Sequence, residues 1–372
     1  MKNVFVFSEK DLAKLSACLV LAAIFFGISG LLVMLLLQWI TRQSYAEDVQ
    51  DKHGISHISP SRLGGAAVFC CTFALIFSAV INEVTLLNKG AYGINWVGWI
   101  GALACAVLGL VEDVKNNYLP PLFRLLVMIL IFGAIIGVSP FLIPVKLDVI
   151  GLRYLLDVPV LGWVITVIFC VGFINAVNMA DGANGLLPGI LTISFSIFYL
   201  ETNGFVFATL MTSCGLFTIF NVISGRLILG DAGAYGLGAA LVLSGLFLFS
   251  EGIFSASFLA VLLAYPCIEI LASLARRVKK RKSVFLPDDN HLHNRLNNHF
   301  KRWLRSKTLA NSITGACIVF LTSGIALAGY LSHWWPVTED QWGLIFTGQI
   351  FAYWIAFVFS GEDHKKAMLG QV

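Results

Sequence analysis

Charge is what this sequence is short of. Asp, Glu, Lys and Arg make up 12% of its 372 residues, about half the ~25% usual in soluble domains. With 58% hydrophobic residues and a mean hydropathy of +0.83, the chain cannot hide its apolar surface inside a water-soluble globule. That excludes a soluble enzyme and marks a polytopic membrane protein. Long hydrophilic stretches are equally scarce, the longest being Arg276 to Lys307. A separate soluble domain has no room, so 1–372 is expected to be one integral-membrane unit whose substrates bind on loops and helix ends. Paired cysteine motifs are missing too. The eight cysteines all lie in apolar runs and no CxxC occurs, which excludes a disulfide frame or a thiolate metal site and leaves small hydrophobes.

What is there is apolar runs. They predict an all-α fold of about ten to eleven transmembrane helices, near 15–39, 63–81, 94–111, 121–137, 160–177, 186–200, 205–221, 235–249, 253–275, 308–331 and 343–360. The first run is far longer than the ~7–15 residues of a signal-peptide core and is expected to be retained as a span. With the N-terminus outside, 19 of the 25 Lys and Arg fall in cytoplasmic segments. Lys2, Lys10, Lys14, Lys89, Lys146 and Arg153 are the exceptions, which fits the positive-inside rule. Trp39, Trp96, Trp334, Trp335 and Trp342 fall near span ends, where an aromatic belt belongs.

On that map the unusual polar clusters share the cytoplasmic side, which suggests one composite active site there. Glu112-Asp113 closes the third span. Carboxylates at a helix C-terminus are disfavoured by ~0.3–1 kcal/mol each, so Lys115 or a metal should offset them; the plain alternative is a solvated loop. Asn178, Asp181 and Asn184 follow the fifth span in the run Asn175 to Gly185. Turns use such residues, but polar groups at a membrane span are costly to place without partners. Asp231, flanked by Gly230 and Gly233, opens the eighth span, as a ligand-facing loop or as a favoured helix cap. His291, His293 and His299 lie in a strongly basic loop after Asp288 and Asp289, a phosphate clamp or a lipid-attracted patch. Arg62-Leu-Gly-Gly65 opens the second span; its glycines favour close helix packing, and Arg62 either snorkels or meets a phosphate.

These motifs, in this order, resemble the polyprenyl-phosphate N-acetylhexosamine-1-phosphate transferases over roughly 59–305. Ser59 to Gly65 resembles that family's Pro-Thr-Pro-Arg-x-Gly-Gly, Gly109 to Asp113 its Asp-Asp motif, and Asn175 to Leu186 its NAxNxxDGxDGL. Leu229 to Gly233 resembles MGDxGS, Asn221 matches a further asparagine, and Asp289 to His293 resembles the HxHH loop. The resemblance implies transfer of a sugar-1-phosphate from a UDP-N-acetylhexosamine to a polyprenyl phosphate with release of UMP, initiating a lipid-linked envelope glycan. One pyrophosphate replaces another, so no ATP is needed, in keeping with the lack of a GxxxxGK[ST] loop. By the same resemblance Asp231 and Asp113 would hold Mg²⁺ or Mn²⁺. Glu112, Asp113, Asp231, His291 and His293 would be catalytic, and Asn178, Asp181, Asn184, Asn221 and Arg62 would bind substrate. The implied setting is the cytoplasmic membrane, with the donor, the lipid and the membrane as partners, no nucleic acid, and homodimerisation left open.

Three positions depart from the family pattern: Glu112 for the first Asp, Asn184 for the second Asp of DGxDG, and Asn294 for the last His of HxHH. They leave the donor sugar open. A transporter or a flippase is the rival of another class. It would want ionisable groups near the midplane, and only Glu269 lies clearly within a span.

Overall fold

The computed structural model describes residues 9–41, 60–81, 96–115, 118–147, 151–281 and 290–361. Asp288, Asp289 and Ser59 lie outside them. The described chain is helical throughout: α1 (Glu9–Ile40), α2 (Gly64–Ile81), α3 (Trp96–Lys115), α4 (Pro121–Val138), α5 (Leu152–Leu156), α6 (Pro159–Ala180), α7 (Leu186–Thr202), α8 (Phe205–Ser224), α9 (Gly230–Ser250), α10 (Ala256–Leu262), α11 (Ala264–Lys279), α12 (Leu292–Trp303), α13 (Lys307–Leu321), α14 (Ser323–Leu331) and α15 (Trp342–Phe359). Among the described residues, seven helices (α1, α3, α4, α6, α8, α9 and α15) are long and apolar enough to cross a membrane. The pairs α10–α11 and α13–α14 are bent spans, and α2 and α7 are shorter apolar helices. Every apolar run expected from the sequence falls on one of these. The protein is an all-α, multi-pass membrane protein.

α9 is the axis of the bundle. Its run of small residues, Gly-Asp-Ala-Gly-Ala-Tyr-Gly-Leu-Gly-Ala-Ala, presents little bulk, so α3, α6 and α2 close around it and bury nearly all of its residues. A Cβ on Gly65 of α2 would strike the backbone of Gly233, and one on Gly109 of α3 would strike that of Asp231. Small residues let backbones touch where lipid supplies no hydrophobic drive for helix association.

The bend between α10 and α11 is 82° and has a local cause. Pro266 cannot donate to the carbonyl of Leu262, and its ring crowds that carbonyl. In lipid a freed carbonyl must find a partner inside the protein. The Ser323 hydroxyl donates to Leu262 O at 2.6 Å, from the point where α13 and α14 meet at 46°. Gln349 of α15 serves both breaks, its Nε2 lying 3.4 Å from Val261 O, 3.4 Å from Leu321 O and 3.2 Å from Thr322 O.

Two features differ from expectation. Trp342 is fully buried, packed edge-on against Phe258 at 4.9 Å, and its Nε1 donates to Pro336 O. It anchors the core, because the turn before α15 folds back over it. Trp39, Trp96 and Trp334 are exposed, as a belt requires. Helices α3 and α6 also run three or four residues beyond the expected span ends, which puts Glu112, Asp113 and Asn178 on last helical turns.

Candidate active site

The site is built around the first turn of α9. Before it, the strand-like segment from Arg226 to Leu229 pairs with the entry to α2: Ser61 N–H donates to Arg226 O at 2.9 Å, Ile228 N–H to Ser61 O at 2.9 Å, and Gly65 N–H to Leu229 O at 2.8 Å. Gly230 then turns the chain at φ +69°, a conformation that glycine adopts without strain. A side chain there would meet Arg62 O and the Asp113 carboxylate.

The orphan N–H groups of this turn are met by carboxylates from two other helix ends. Asp113, on the last turn of α3, takes Asp231 N–H on Oδ1 at 2.9 Å and Ala232 N–H on Oδ2 at 2.8 Å. Asp181, just past α6, takes Gly230 N–H on Oδ2 at 2.9 Å. The positive end of the α9 dipole thus offsets the unfavourable position of Asp113 on α3. Lys115 or a metal was expected in that role; the Lys115 ammonium lies over the Tyr118 ring instead, 4.4 Å from the centroid. Burial pushes the Asp181 carboxyl well above the usual carboxylate range. The Gly230 N–H and the Arg62 charge work against that shift, while Asp113 and Asp231 add to it. Arg62 is itself 5% exposed, so it does not snorkel.

Glu112 points elsewhere than its neighbour, as adjacent helical residues must. Its Oε2 accepts Leu119 N–H at 3.0 Å, and its Oε1 lies 3.6 Å from Nη1 of Arg124. The same Nη1 is 3.3 Å from Asp231 Oδ2 and 3.2 Å from the Tyr235 hydroxyl. Arg124 therefore joins the two carboxylates of the cluster that do not cap α9. Sequence reasoning did not single it out. The signal was a lone cation on the first turn of an apolar helix, where charge is expensive.

The asparagines divide. Asn178 O accepts Asp181 N–H at 3.3 Å, closing α6. Asn221 ties two loops together: its Oδ1 accepts Gly185 N–H, and its Nδ2 donates to Leu227 O at 2.7 Å. Asn184 turns toward α13, where its N–H donates to Asn311 Oδ1 at 3.2 Å and its Nδ2 to Ser312 Oγ at 3.3 Å. Asn184 and Asn221 are thus spent on holding the polar loops in place.

His291 and His293 close the other side. Their rings stack at 5.4 Å and 13°, and Nδ1 of His293 shares a 2.7 Å hydrogen bond with the Tyr265 hydroxyl. His293 fills the space that a Cβ on Gly182 would take, so the pair leans on the residue next to Asp181. The structure therefore brings together Asp113, Asp181, Asp231, Glu112, Arg62 and the two histidines at one end of the bundle. His299, further along α12, faces Phe300 at 5.8 Å.

Fold and site together define a polytopic membrane protein with carboxylates and imidazoles gathered at one set of helix ends. The family model described as glycosyl transferase family 4 matches residues 95–249, from α3 to the end of α9. The chain is 26% identical over 247 residues to a probable undecaprenyl-phosphate N-acetylglucosaminyl 1-phosphate transferase of Bacillus subtilis, covering 63% of this chain and 65% of that protein. It is 31% identical over 137 residues to an undecaprenyl-phosphate alpha-N-acetylglucosaminyl 1-phosphate transferase of Thermotoga maritima, covering 37% and 44%. It is 25% identical over 294 residues to a phospho-N-acetylmuramoyl-pentapeptide-transferase of Staphylococcus carnosus, covering 74% and 89%. The match thus spans less than two thirds of the first two relatives. Over residues 95–249, under half of its length, the chain is similar to glycosyl transferase family 4.

Proposed function

We propose that this protein transfers an N-acetylhexosamine-1-phosphate from a UDP-sugar to a polyprenyl phosphate and releases UMP. The observation that carries the proposal is the convergence of Glu112, Asp113, Asp181 and Asp231 on the first turn of α9, beside the histidine pair. The names of the relatives support the same chemistry. A phosphate oxygen of the lipid attacks the β-phosphorus of the donor. The bond from that phosphorus to the bridging oxygen breaks, and UMP leaves with the electron pair.

A phosphate monoester is largely ionised at neutral pH, since its second pKa is about 6, so the nucleophile needs little help from a base. What the reaction needs is neutralisation of two approaching anions and a fixed geometry. Arg124 and Arg62 supply positive charge beside the carboxylates. The histidines would sit over the phosphates or the sugar, and Asn178 and Asp181 would border the uridine diphosphate.

The donor set also fits a hard divalent ion, Mg²⁺ or Mn²⁺. Such ions take one or two carboxylates and complete their shell with water and substrate phosphates, and no cluster of three or more ligating side chains occurs among the described residues. Asp231 would hold the ion. Asp113, whose two oxygens each accept a backbone N–H, would serve it by fixing the backbone of Asp231. When bound, the ion would neutralise charge on the transferred phosphate.

The site would face the cytoplasm of a bacterial inner membrane, with UDP-GlcNAc the first donor to try. The product would start a lipid-linked surface glycan such as an O-antigen or capsule. Purified protein with polyprenyl phosphate, UDP-GlcNAc and Mg²⁺ should release UMP, and EDTA or Asp231→Asn should stop it. Turnover untouched by either would refute the metal role, and no turnover with any UDP-N-acetylhexosamine would refute the transferase reading.

A further inference from the structure

Glu269 lies on the apolar helix α11 and is 1% exposed, yet the chemistry above gives it no task. A buried carboxylate without compensation is strongly destabilising, so its partners report its purpose. Oε1 accepts from Arg276 Nη2 at 2.9 Å and from His291 Nδ1 at 3.1 Å. Oε2 accepts Leu292 N–H at 3.0 Å and the Tyr353 hydroxyl at 2.9 Å. The four donors come from α11 itself, the residue entering α12, the first residue of α12, and α15.

Arg276 is always charged, and it holds Glu269 as a carboxylate, an acceptor only. Nδ1 of His291 must then be the donor, so a neutral His291 carries its proton on Nδ1 and its lone pair on Nε2. Through the stack on His293, and through His293 against Gly182, that choice of proton reaches the loop bearing Asp181. The support is braced from outside as well. Tyr353 lies one turn past Gln349 on α15. One turn further, Phe357 accepts Arg295 Nη1 on its carbonyl at 2.6 Å, and its ring lies 3.5 Å from the Arg295 guanidinium carbon.

We propose that Glu269 is a positioning residue for the transfer reaction: it fixes His291 in the Nδ1-protonated form and holds the histidine pair against the Asp181–Gly182 loop, with Arg276 and Tyr353 holding Glu269. The role rests on the reading that the two histidines attend the phosphates. A positioning carboxylate and a mere staple between α11, α12 and α15 differ in what they do to the imidazole. A staple needs only hydrogen-bond acceptors; a positioning group sets the tautomer.

The test is nitrogen-15 NMR of histidine-labelled protein in detergent, with the His291 signals assigned by their loss in His291→Gln, alongside UMP-release kinetics. In the unsubstituted protein His291 should show a protonated Nδ1 and a bare Nε2. Glu269→Gln should erase that pattern and lower kcat by about ten- to a hundredfold, the usual cost of removing a group that orients a site residue, with KM for the donor within about threefold of the parent. Tyr353→Phe keeps the carboxylate, so it should keep the tautomer and lower kcat by less than about tenfold, as loss of one hydrogen bond would. It also carries the test if Glu269→Gln does not fold. An Nε2-protonated His291 in the parent, a Tyr353→Phe protein that loses the tautomer while keeping full kcat, or a folded Glu269→Gln with unchanged tautomer and kcat would each overturn the proposal. No turnover with any donor would overturn the transferase reading, whereas the tautomer would still report on the Glu269–His291 pair.

Discussion

At the scale of single residues, carboxylates that share a cluster carry different tasks. Asp113 gives both oxygens to backbone N–H groups, whereas Asp231 turns Oδ2 to Arg124. Asp113→Asn leaves one acceptor where two are needed and sets an amide N–H against a backbone N–H. It should cost about 1–3 kcal/mol of stability, the usual penalty of a buried group losing its partner, and show as a clear fall in melting temperature in detergent. Asp231→Asn should abolish UMP release with a much smaller fall. Equal melting temperatures for the two variants would contradict the division. Asn184 supports a second prediction. Its departure from the family pattern first pointed to an altered donor, but its side chain donates to Ser312, whose own hydroxyl donates to Val222 O at 2.7 Å. Asn184→Asp would place acceptor against acceptor there. It should lower stability and overall rate while leaving the ranking of UDP-sugars across a donor panel unchanged; a changed ranking would return Asn184 to the donor pocket.

At the scale of elements, what was legible in the sequence was whatever hydropathy and turn chemistry decide. Each apolar run became a helix or a bent pair, and the two glycines after Arg62 mark where α2 closes on the small-residue face of α9. The site carboxylates were legible because charge at a membrane-helix end demands a reason. Their roles were not, because capping of α9 by Asp113 and Asp181 joins residues 118 and 49 positions apart, and no local pattern records it. Tyr265 and Tyr353 were missed for the same reason, whereas Arg124 carried a local signal, a lone cation on the apolar helix α4. Glu269 was noticed as an oddity within a span, but its partner His291 lies 22 positions away. The helix breaks were not expected: hydropathy makes 253–275 and 308–331 one span each, although Pro266 sits at the first break, and the Gln349 amide that serves both has no local signal. Gln349→Leu would remove donors from freed carbonyls in the bundle interior. It should lower stability by about 1–3 kcal/mol, and Ser323→Ala should add to that loss. A Gln349→Leu protein as stable as its parent would mean that the carbonyls find other partners.

At the scale of the whole molecule, the two ends of the bundle are chemically unlike. One end gathers the termini of α3, α6, α9, α12 and α15 with the carboxylates, the histidines and the basic run from Arg276 to Lys280. The other joins the α9 C-terminus and the α10 N-terminus to loops: Lys146 donates to Ser250 O at 2.7 Å, Ser255 N–H to Val337 O at 2.9 Å, and Ser255 Oγ to Glu339 O at 3.0 Å. On the proposed reading, the positive-inside rule would place the basic end in the cytoplasm, where a nucleotide-sugar donor would be found. A single cysteine placed at Ser332 or at Arg305, both exposed at opposite ends, tests that assignment. The native cysteines are mostly buried among apolar side chains, and the exposed one, Cys70, lies on the apolar helix α2, so a membrane-impermeant thiol reagent should read the added residue. In intact cells Ser332→Cys should label and Arg305→Cys should not, with labelling of the latter appearing once the membrane is permeabilised. The reverse pattern would put the carboxylate cluster on the outer face, away from any cytoplasmic UDP-sugar, and the proposed reaction would then have no donor.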